Sequence, residues 1–509
     1  MVRLLVIPDS AERQKRRSSY MNGQKLEVIY MPSEKMLQSI MAVVLCVAIY
    51  AGLGVVPQIQ GGGSLKAQQT SASAGELAAV DDTDEGDLMP EAQDATEQIQ
   101  EPAQGTADEA EAAQSQSAPE AKDGILARTD ITYIQTEAPE TTSADGVISA
   151  DEWAAVYPEI ASSMFANDQN SYTVSYLEED PYLVNIYEGY GFAKDYDSAR
   201  GHTYCLEDVH NTERPHATAN CLTCKTPNFT KLVNDQGLGV YSMDFEEVYA
   251  QMTENTSCYN CHSNEAGNEG KLVVTHEYVT RCLGESVAEI DPAVLSCGQC
   301  HIEYYFRPED KATSMPYSDV NGMAPGAILA YYNEIGFSDW TQESTGAGML
   351  KAQHPEMETF LQGKHARLLN CADCHMPIEQ SENGTVYHSH TWVSPLENEA
   401  LLASCAQCHG STDMVAFVHS IQDEVTARET EVGNKLSDLK DALAEANSKG
   451  LLDEDVLKEV RQEYREAQWY FDYCYVENSE GAHNSTLSKD CLNTSERIIE
   501  SAMWTLTNS

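Results

Sequence analysis

Cys221-Leu222-Thr223-Cys224-Lys225 decides how this chain is read. Two cysteines three apart on one helical turn present both thiols on one face, within reach of the two vinyl carbons of a haem. The residue that follows falls under the iron. The usual residue there is His, and the usual form occurs four times downstream, as Cys258/Cys261/His262, Cys297/Cys300/His301, Cys371/Cys374/His375 and Cys405/Cys408/His409. At the first site it is Lys225. One of five attachment segments is therefore chemically unlike its siblings. Structural zinc is the competing reading of C-x-x-C pairs. With 14 His in 509 residues, His at the fifth position of four motifs arises by chance with a probability on the order of 10^-6, and a zinc ribbon does not require it there. Five redox-active dithiols in one chain have no evident purpose.

Lys plus Arg number 31 against 81 Asp plus Glu, a formal charge of -50. Such acidity argues against nucleic acid as a partner and keeps a secreted protein soluble. Thioether-linked haem and the many cysteines both place the folded part outside the cytoplasm, where thiols are not held reduced. The five pairs account for ten of the 15 Cys, leaving Cys46, Cys205, Cys282, Cys474 and Cys491. Cys474 and Cys491 read equally as a disulfide or as two free thiols.

Residues 1–35 are a polar N-terminal segment carrying Arg13, Lys15, Arg16 and Arg17, expected in the cytoplasm. Residues 36–57 hold no charge, and the apolar run 40–56 is about long enough to cross a bilayer. Basic residues before it and acidic ones after it point to an anchor holding the protein on the outer face of the cytoplasmic membrane. A cleaved signal peptide is the alternative, although no clear A-x-A site follows directly. Residues 58–145 form an acidic linker, too polar to offset the entropy of ordering a backbone and extended by its own charge. Aromatic residues return at Trp153, Tyr157 and Tyr172. Residues 146–410 read as a mainly α, pentahaem catalytic domain of short helices and loops, with macrocycles supplying apolar volume. Residues 411–509 read as long C-terminal helices. Met414, Phe417, Val418, Ile421, Val425, Val432, Leu436, Leu439 and Leu443 share one helical face, Gly450 ends that helix and Asp453 starts another through Tyr464 and Trp469. The apolar face reads evenly as a hairpin packed on its own domain or as a dimer interface.

A haem that only carries electrons is usually closed by a second axial residue, which must be a His outside the motifs. His202, His365, His390 and His483 fit that role. His210, His216, His276, His388 and His419 read as surface residues. A neutral lysine amine on one face of a haem leaves the other open to substrate, so catalysis belongs at the Cys221/Cys224 segment.

The chain resembles the pentahaem, ammonia-forming cytochrome c nitrite reductases over about residues 200–483. The resemblance rests on the C-x-x-C-K segment, on CGQCHIEYYF at 297–306 and on KAQHPE at 351–356. It implies that Lys225 is the proximal ligand of the catalytic haem and that Arg214, Tyr304 and His354 hold and protonate substrate. It pairs His202 with the Cys297/Cys300 haem, His390 with Cys258/Cys261, His365 with Cys405/Cys408 and His483 with Cys371/Cys374. It also implies a calcium ion held by the Glu303 carboxylate, the Gln353 side-chain oxygen and the carbonyls of Tyr304 and Lys351, oxygen donors of the kind calcium selects. A homodimer and a membrane quinol-oxidising cytochrome as electron donor follow from the same likeness.

The residue chemistry agrees. Reducing nitrite to ammonium takes six electrons and needs proton donors. Arg214 suits a small anion, His354 suits proton transfer near neutral pH, and Tyr304 offers a hydroxyl donor. Reduction of hydroxylamine or sulfite at the same open site is the alternative activity, and a non-catalytic electron conduit is the alternative class. Relatives are generally released by a cleaved signal, so the anchor and acidic linker depart from the pattern.

Overall fold

The computed structural model describes residues 138–169, 172–264 and 272–509. The expectations for residues 1–35, for 36–57 and for most of 58–145 lie outside the described residues. The folded body begins slightly before residue 146: Thr141 Oγ1 donates to the Val147 carbonyl at 3.0 Å, and Asp145 Oδ2 accepts from Asn228 Nδ2 at 2.7 Å. Composition alone cannot see such tertiary bonds in a polar turn.

Short helices follow one another through the haem-motif region: Pro158–Phe165 (α1), Pro227–Gln236 (α2), Pro292–Gly298 (α3), Pro325–Glu334 (α4), Glu356–Leu361 (α5), Cys371–His375 (α6) and Glu399–His409 (α7). Proline opens α1 to α4, where its missing N–H costs nothing. Polar side chains satisfy the first amides of α6 and α7. Asn370 and Asp373 form a reciprocal box at α6, and Asn398 Oδ1 accepts from the Ala400 and Leu401 amides of α7 at 3.0 and 3.1 Å. Strand structure among the described residues is limited to three antiparallel two-stranded ribbons: Tyr305–Phe306 (β1) with Thr313–Ser314 (β2), Trp340–Gln342 (β3) with Ala347–Met349 (β4), and Ile378–Gln380 (β5) with Val386–His388 (β6).

Three long helices complete the body: Met414–Lys449 (α8), Glu454–Tyr475 (α9) and Ser485–Asn508 (α10). Gly450 closes α8 in the left-handed conformation at φ 60°, ψ 41°, as its position suggested, and Asp453 sits at the start of α9. Val425, Val432, Leu436, Leu439 and Leu443 are all fully buried within the chain. Most of the apolar stripe of α8 is therefore spent on its own core rather than on a partner. That core is continuous with the haem-motif region, joining these residues to Tyr182, Ile186, Tyr332 and Met357. Cys474 and Cys491 are both buried and free, and Cys474 Sγ lies 3.4 Å from Glu429 Oε1.

Candidate active site

All five C-x-x-C segments lie on helical or 3-10 turns, with residues 405–409 forming the end of α7. In two of the histidine segments the imidazole-bearing residue closes an i→i+4 bond onto the first cysteine: the His262 amide donates to the Cys258 carbonyl at 2.8 Å, and the His301 amide to that of Cys297 at 3.1 Å. Lys225 instead bonds back to Leu222 at 3.1 Å, a tighter turn that follows the 3-10 segment Ala219–Leu222. The segments are also threaded together. Cys224 lies in contact with Cys300, and Cys297 with Cys371. Helix α3 packs on α6 and α6 on α7.

Opposite each of the four motif histidines stands a second imidazole. Ring centroids are 6.1 Å apart for His202 and His301, 6.3 Å for His262 and His390, 6.1 Å for His365 and His409, and 6.2 Å for His375 and His483. Two metal–nitrogen bonds of roughly 2.0 Å, plus half the width of each ring, give about 6.3 Å. The spacing is thus that of two imidazoles sharing one metal. It also pairs the histidines in the order inferred from the resemblance. Four of the eight far nitrogens meet a polar partner, which fixes those rings' orientation. His483 Nδ1 meets Glu477 Oε1 at 2.6 Å, His375 Nδ1 donates to the Val393 carbonyl at 3.2 Å and His390 Nδ1 to the His388 carbonyl at 3.0 Å. His301 Nδ1 stands 3.8 Å from Glu356 Oε2. Burial keeps His202 neutral, its pKa pulled down to about 3, and holds His375 and His390 at about 4, so all three enter as neutral ligands. Among the described residues no three His, Cys, Asp or Glu side chains converge as they would around zinc. The residues present therefore fit haem.

Around Lys225 the arrangement differs. The charge of Lys225 acts on both His202 and His354, Arg214 acts on Cys221, and both Cys221 and Cys224 act on Tyr304, so the three expected distal residues gather at the lysine segment. A backbone bond ties His354 to the segment that carries Tyr304, since the His354 amide donates to the Ile302 carbonyl at 3.3 Å. Desolvation pushes the Tyr304 hydroxyl well above its ordinary pKa, leaving a neutral O–H donor. The His354 ring is reachable by solvent yet surrounded by protein. Desolvation brings its pKa down to about 4 despite the opposing charge of Glu356, lower than the near-neutral value its residue type suggests.

One histidine expected at the surface is not there. His276 is 3% exposed, with Nε2 3.1 Å from the Thr223 carbonyl and Nδ1 3.1 Å from Gln299 Oε1. It ties the lysine segment to the Cys297/Cys300 segment. The sequence holds no signal for this, because Thr223 and Gln299 meet His276 only in the fold.

The profile of the cytochrome c552 family matches residues 149–509. The chain belongs to that family. Among solved structures, the catalytic subunit of cytochrome c nitrite reductase from Desulfovibrio desulfuricans, described with two calcium sites, is 26% identical with a TM-score of 0.66. The match covers 72% of this chain and 88% of that one. An outer cell wall cytochrome, OcwA, is 18% identical at a TM-score of 0.34, over 59% of this chain and 48% of that one. An undecahaem S-layer cytochrome of Carboxydothermus ferrireducens is 16% identical at 0.35, over 60% and 41%.

The chain also buries more carboxyl groups than cationic side chains beside Tyr304. Glu303 is 1% exposed, accepts from the Tyr332 hydroxyl at 2.8 Å and the Gln353 amide at 2.6 Å, and is held well above the usual carboxylate range by burial. Burial lifts Asp339 to about 7 and Glu358 to about 8. The one lysine in the group, Lys351, turns its amine 3.5 Å from Asp472 and leaves Glu303 without a cation among the described residues. Gln353 Nε2 donates to the Lys351 carbonyl at 2.8 Å. Rotating that amide by half a turn puts its oxygen beside the same carbonyl, while the Gln353 backbone amide meets Glu303, so hard oxygen donors of the kind calcium selects lie along one short segment.

Proposed function

We propose that this chain reduces nitrite to ammonium at the Lys225 segment. The observation that carries the reading is an asymmetry: four motif histidines each face a second imidazole, whereas Arg214, Tyr304 and His354 gather at the lysine segment. A conduit has no use for one open site lined by an anion binder and two hydrogen-bond donors. Haem c held by the five cysteine pairs, their four histidines and Lys225 would supply the electron store for a six-electron reduction and, at the Lys225 segment, the iron at which substrate is reduced.

The chain's own groups do the rest. Arg214 offers a planar fork of donors to the oxygens of a small anion and stabilises negative charge there. Tyr304, protonated at any physiological pH, donates its O–H to the same anion. His354 rests neutral, and an anion bound beside it raises its proton affinity, so it takes a proton from water and passes it on as oxygen leaves as water. A calcium ion at Glu303, Tyr304, Lys351 and Gln353 would balance the buried charge and brace the segment that carries Tyr304. The remaining expectations belong to the same reading: a quinol-oxidising membrane cytochrome as donor, a site on the outer face of the cytoplasmic membrane and a homodimer. They are supported by the charge pattern of residues 1–57 and by the family likeness.

The test is to supply reduced viologen and nitrite and to measure ammonium against dye oxidised. Six electrons consumed per ammonium support the proposal. Dye oxidation without ammonium overturns it.

A further inference from the structure

A guanidinium paired with a carboxylate has spent its charge, and one left loose has no fixed direction. Arg214 avoids both. Its Nε donates to Thr212 Oγ1 at 3.0 Å, and its Cζ lies over the Phe192 ring, 4.4 Å from the centroid. No carboxylate forms an ion pair with it among the described residues. The Thr212 hydroxyl donates in turn to Asp195 Oδ2 at 2.6 Å, and the Glu213 amide donates to the same oxygen at 2.6 Å. The acid therefore fixes the hydroxyl, and a neutral atom fixes the arginine. Phe192 is itself clamped, meeting Tyr196 edge-on at 4.9 Å and 88°. A Cβ on neighbouring Gly191 would come within 3.4 Å of Arg214 Cβ and Cγ, so this short turn lies against the arginine stem. Lys351 Nζ also stands 5.0 Å from the Phe192 centroid, which links the floor of Arg214 to the segment proposed to hold calcium.

We propose that Phe192 and Thr212 are positioning residues for nitrite, the ring setting the plane of Arg214 and the hydroxyl its edge while its charge stays unpaired for the anion. This rests on the assignment of Arg214 as the anion anchor. Neither residue lies in a haem motif. The stack is worth more than a hydrophobic contact because a ring face attracts a cation without neutralising it.

The test uses the full-chain, haem-loaded enzyme and two readouts: nitrite titrated into the ferric protein by visible absorption, and KM and kcat for nitrite and for the largely uncharged hydroxylamine. Phe192→Leu is expected to weaken nitrite binding and raise its KM roughly three- to thirtyfold, and Thr212→Val roughly two- to tenfold. Hydroxylamine constants and kcat stay near wild type, as loss of uniform binding requires. Phe192→Trp restores nitrite binding. If Phe192→Leu does not load its haems, Thr212→Val carries the same comparison. Equal losses for nitrite and hydroxylamine overturn the inference, as does unchanged nitrite binding in both variants when Arg214→Gln weakens it. Unchanged nitrite binding in Arg214→Gln overturns the anchor assignment and the inference together.

Discussion

Glu477 shows how one side chain sets the character of another. Its carboxylate lies 2.6 Å from His483 Nδ1, whereas His375, across the same site, donates only to a carbonyl. Burial alone would lower the His483 pKa, but Glu477 raises it. A carboxylate on the far nitrogen makes an imidazole a stronger donor and favours an oxidised metal. Glu477→Gln is therefore expected to raise the reduction potential of one haem by roughly 60 mV for each tenfold change in relative ligand affinity. A spectroelectrochemical titration of the five haems shows it, and an unshifted set refutes it. Glu358 makes a different prediction. Burial lifts it to about 8, while an unfolded glutamate titrates near ~4.3. The folded state keeps a proton that the unfolded state loses, so this group's contribution to stability falls as pH rises from about 4 through about 8, by at most ~1.4 kcal/mol per pH unit. Glu358→Gln stays neutral and should flatten the pH dependence of Tm in that window; a slope equal to wild type would assign it to other groups. Motif spacing made the cysteines, their histidines and Lys225 legible in the sequence. The buried role of His276 was not, since its partners lie 53 and 23 residues away along the chain.

Elements were legible in proportion to the strength of their apolar period. Helix α8 announces itself through Val and Leu at every turn and through Gly450. Helix α10 does not, because the residues it buries include Ser488, Cys491, Ser495 and Ala502, small or polar side chains that leave no clear stripe. Close packing chose them. Ser495 Oγ donates to the Ala467 carbonyl of α9 at 2.8 Å, so a polar residue belongs there. The same closeness explains Gly433 in the middle of α8, where glycine weakens a helix. A Cβ there would lie 2.4 Å from the Tyr182 ring, so only glycine lets α8 settle on the helix Tyr182–Ile186. Gly433→Ala is expected to cost about 1–3 kcal/mol through overpacking, although alanine is the better helix former. Thermal unfolding measures it, with the haem spectrum unchanged. A gain in Tm would mean that Tyr182 moves aside freely.

Over the whole molecule, one core runs from the haem-motif region into α8 to α10, so residues 411–509 are the wall of the catalytic body. Sequence patterning separates the two because haem motifs interrupt the period that α8 displays without a break. It could not tell which part of the α8 stripe the chain covers itself. From Val425 onward the stripe is buried, but its beginning is not: Phe417 is 46% exposed, with Met414, Val418 and Ile421 only partly covered. That uncovered start follows directly on α7, which carries Cys405, Cys408 and His409. A second copy of the chain meeting this face would bury like against like, as a two-fold dimer requires. Net charge works against it, since two chains of formal charge -50 repel, although many of the acidic residues lie in residues 58–145. Sedimentation of the full chain is therefore expected to show a dimer that tightens as salt screens the repulsion, and Phe417→Asp is expected to weaken it by placing a charge in the buried seam. A monomer independent of concentration and salt would sink the dimer. A dimer indifferent to Phe417→Asp would move its seam away from the start of α8.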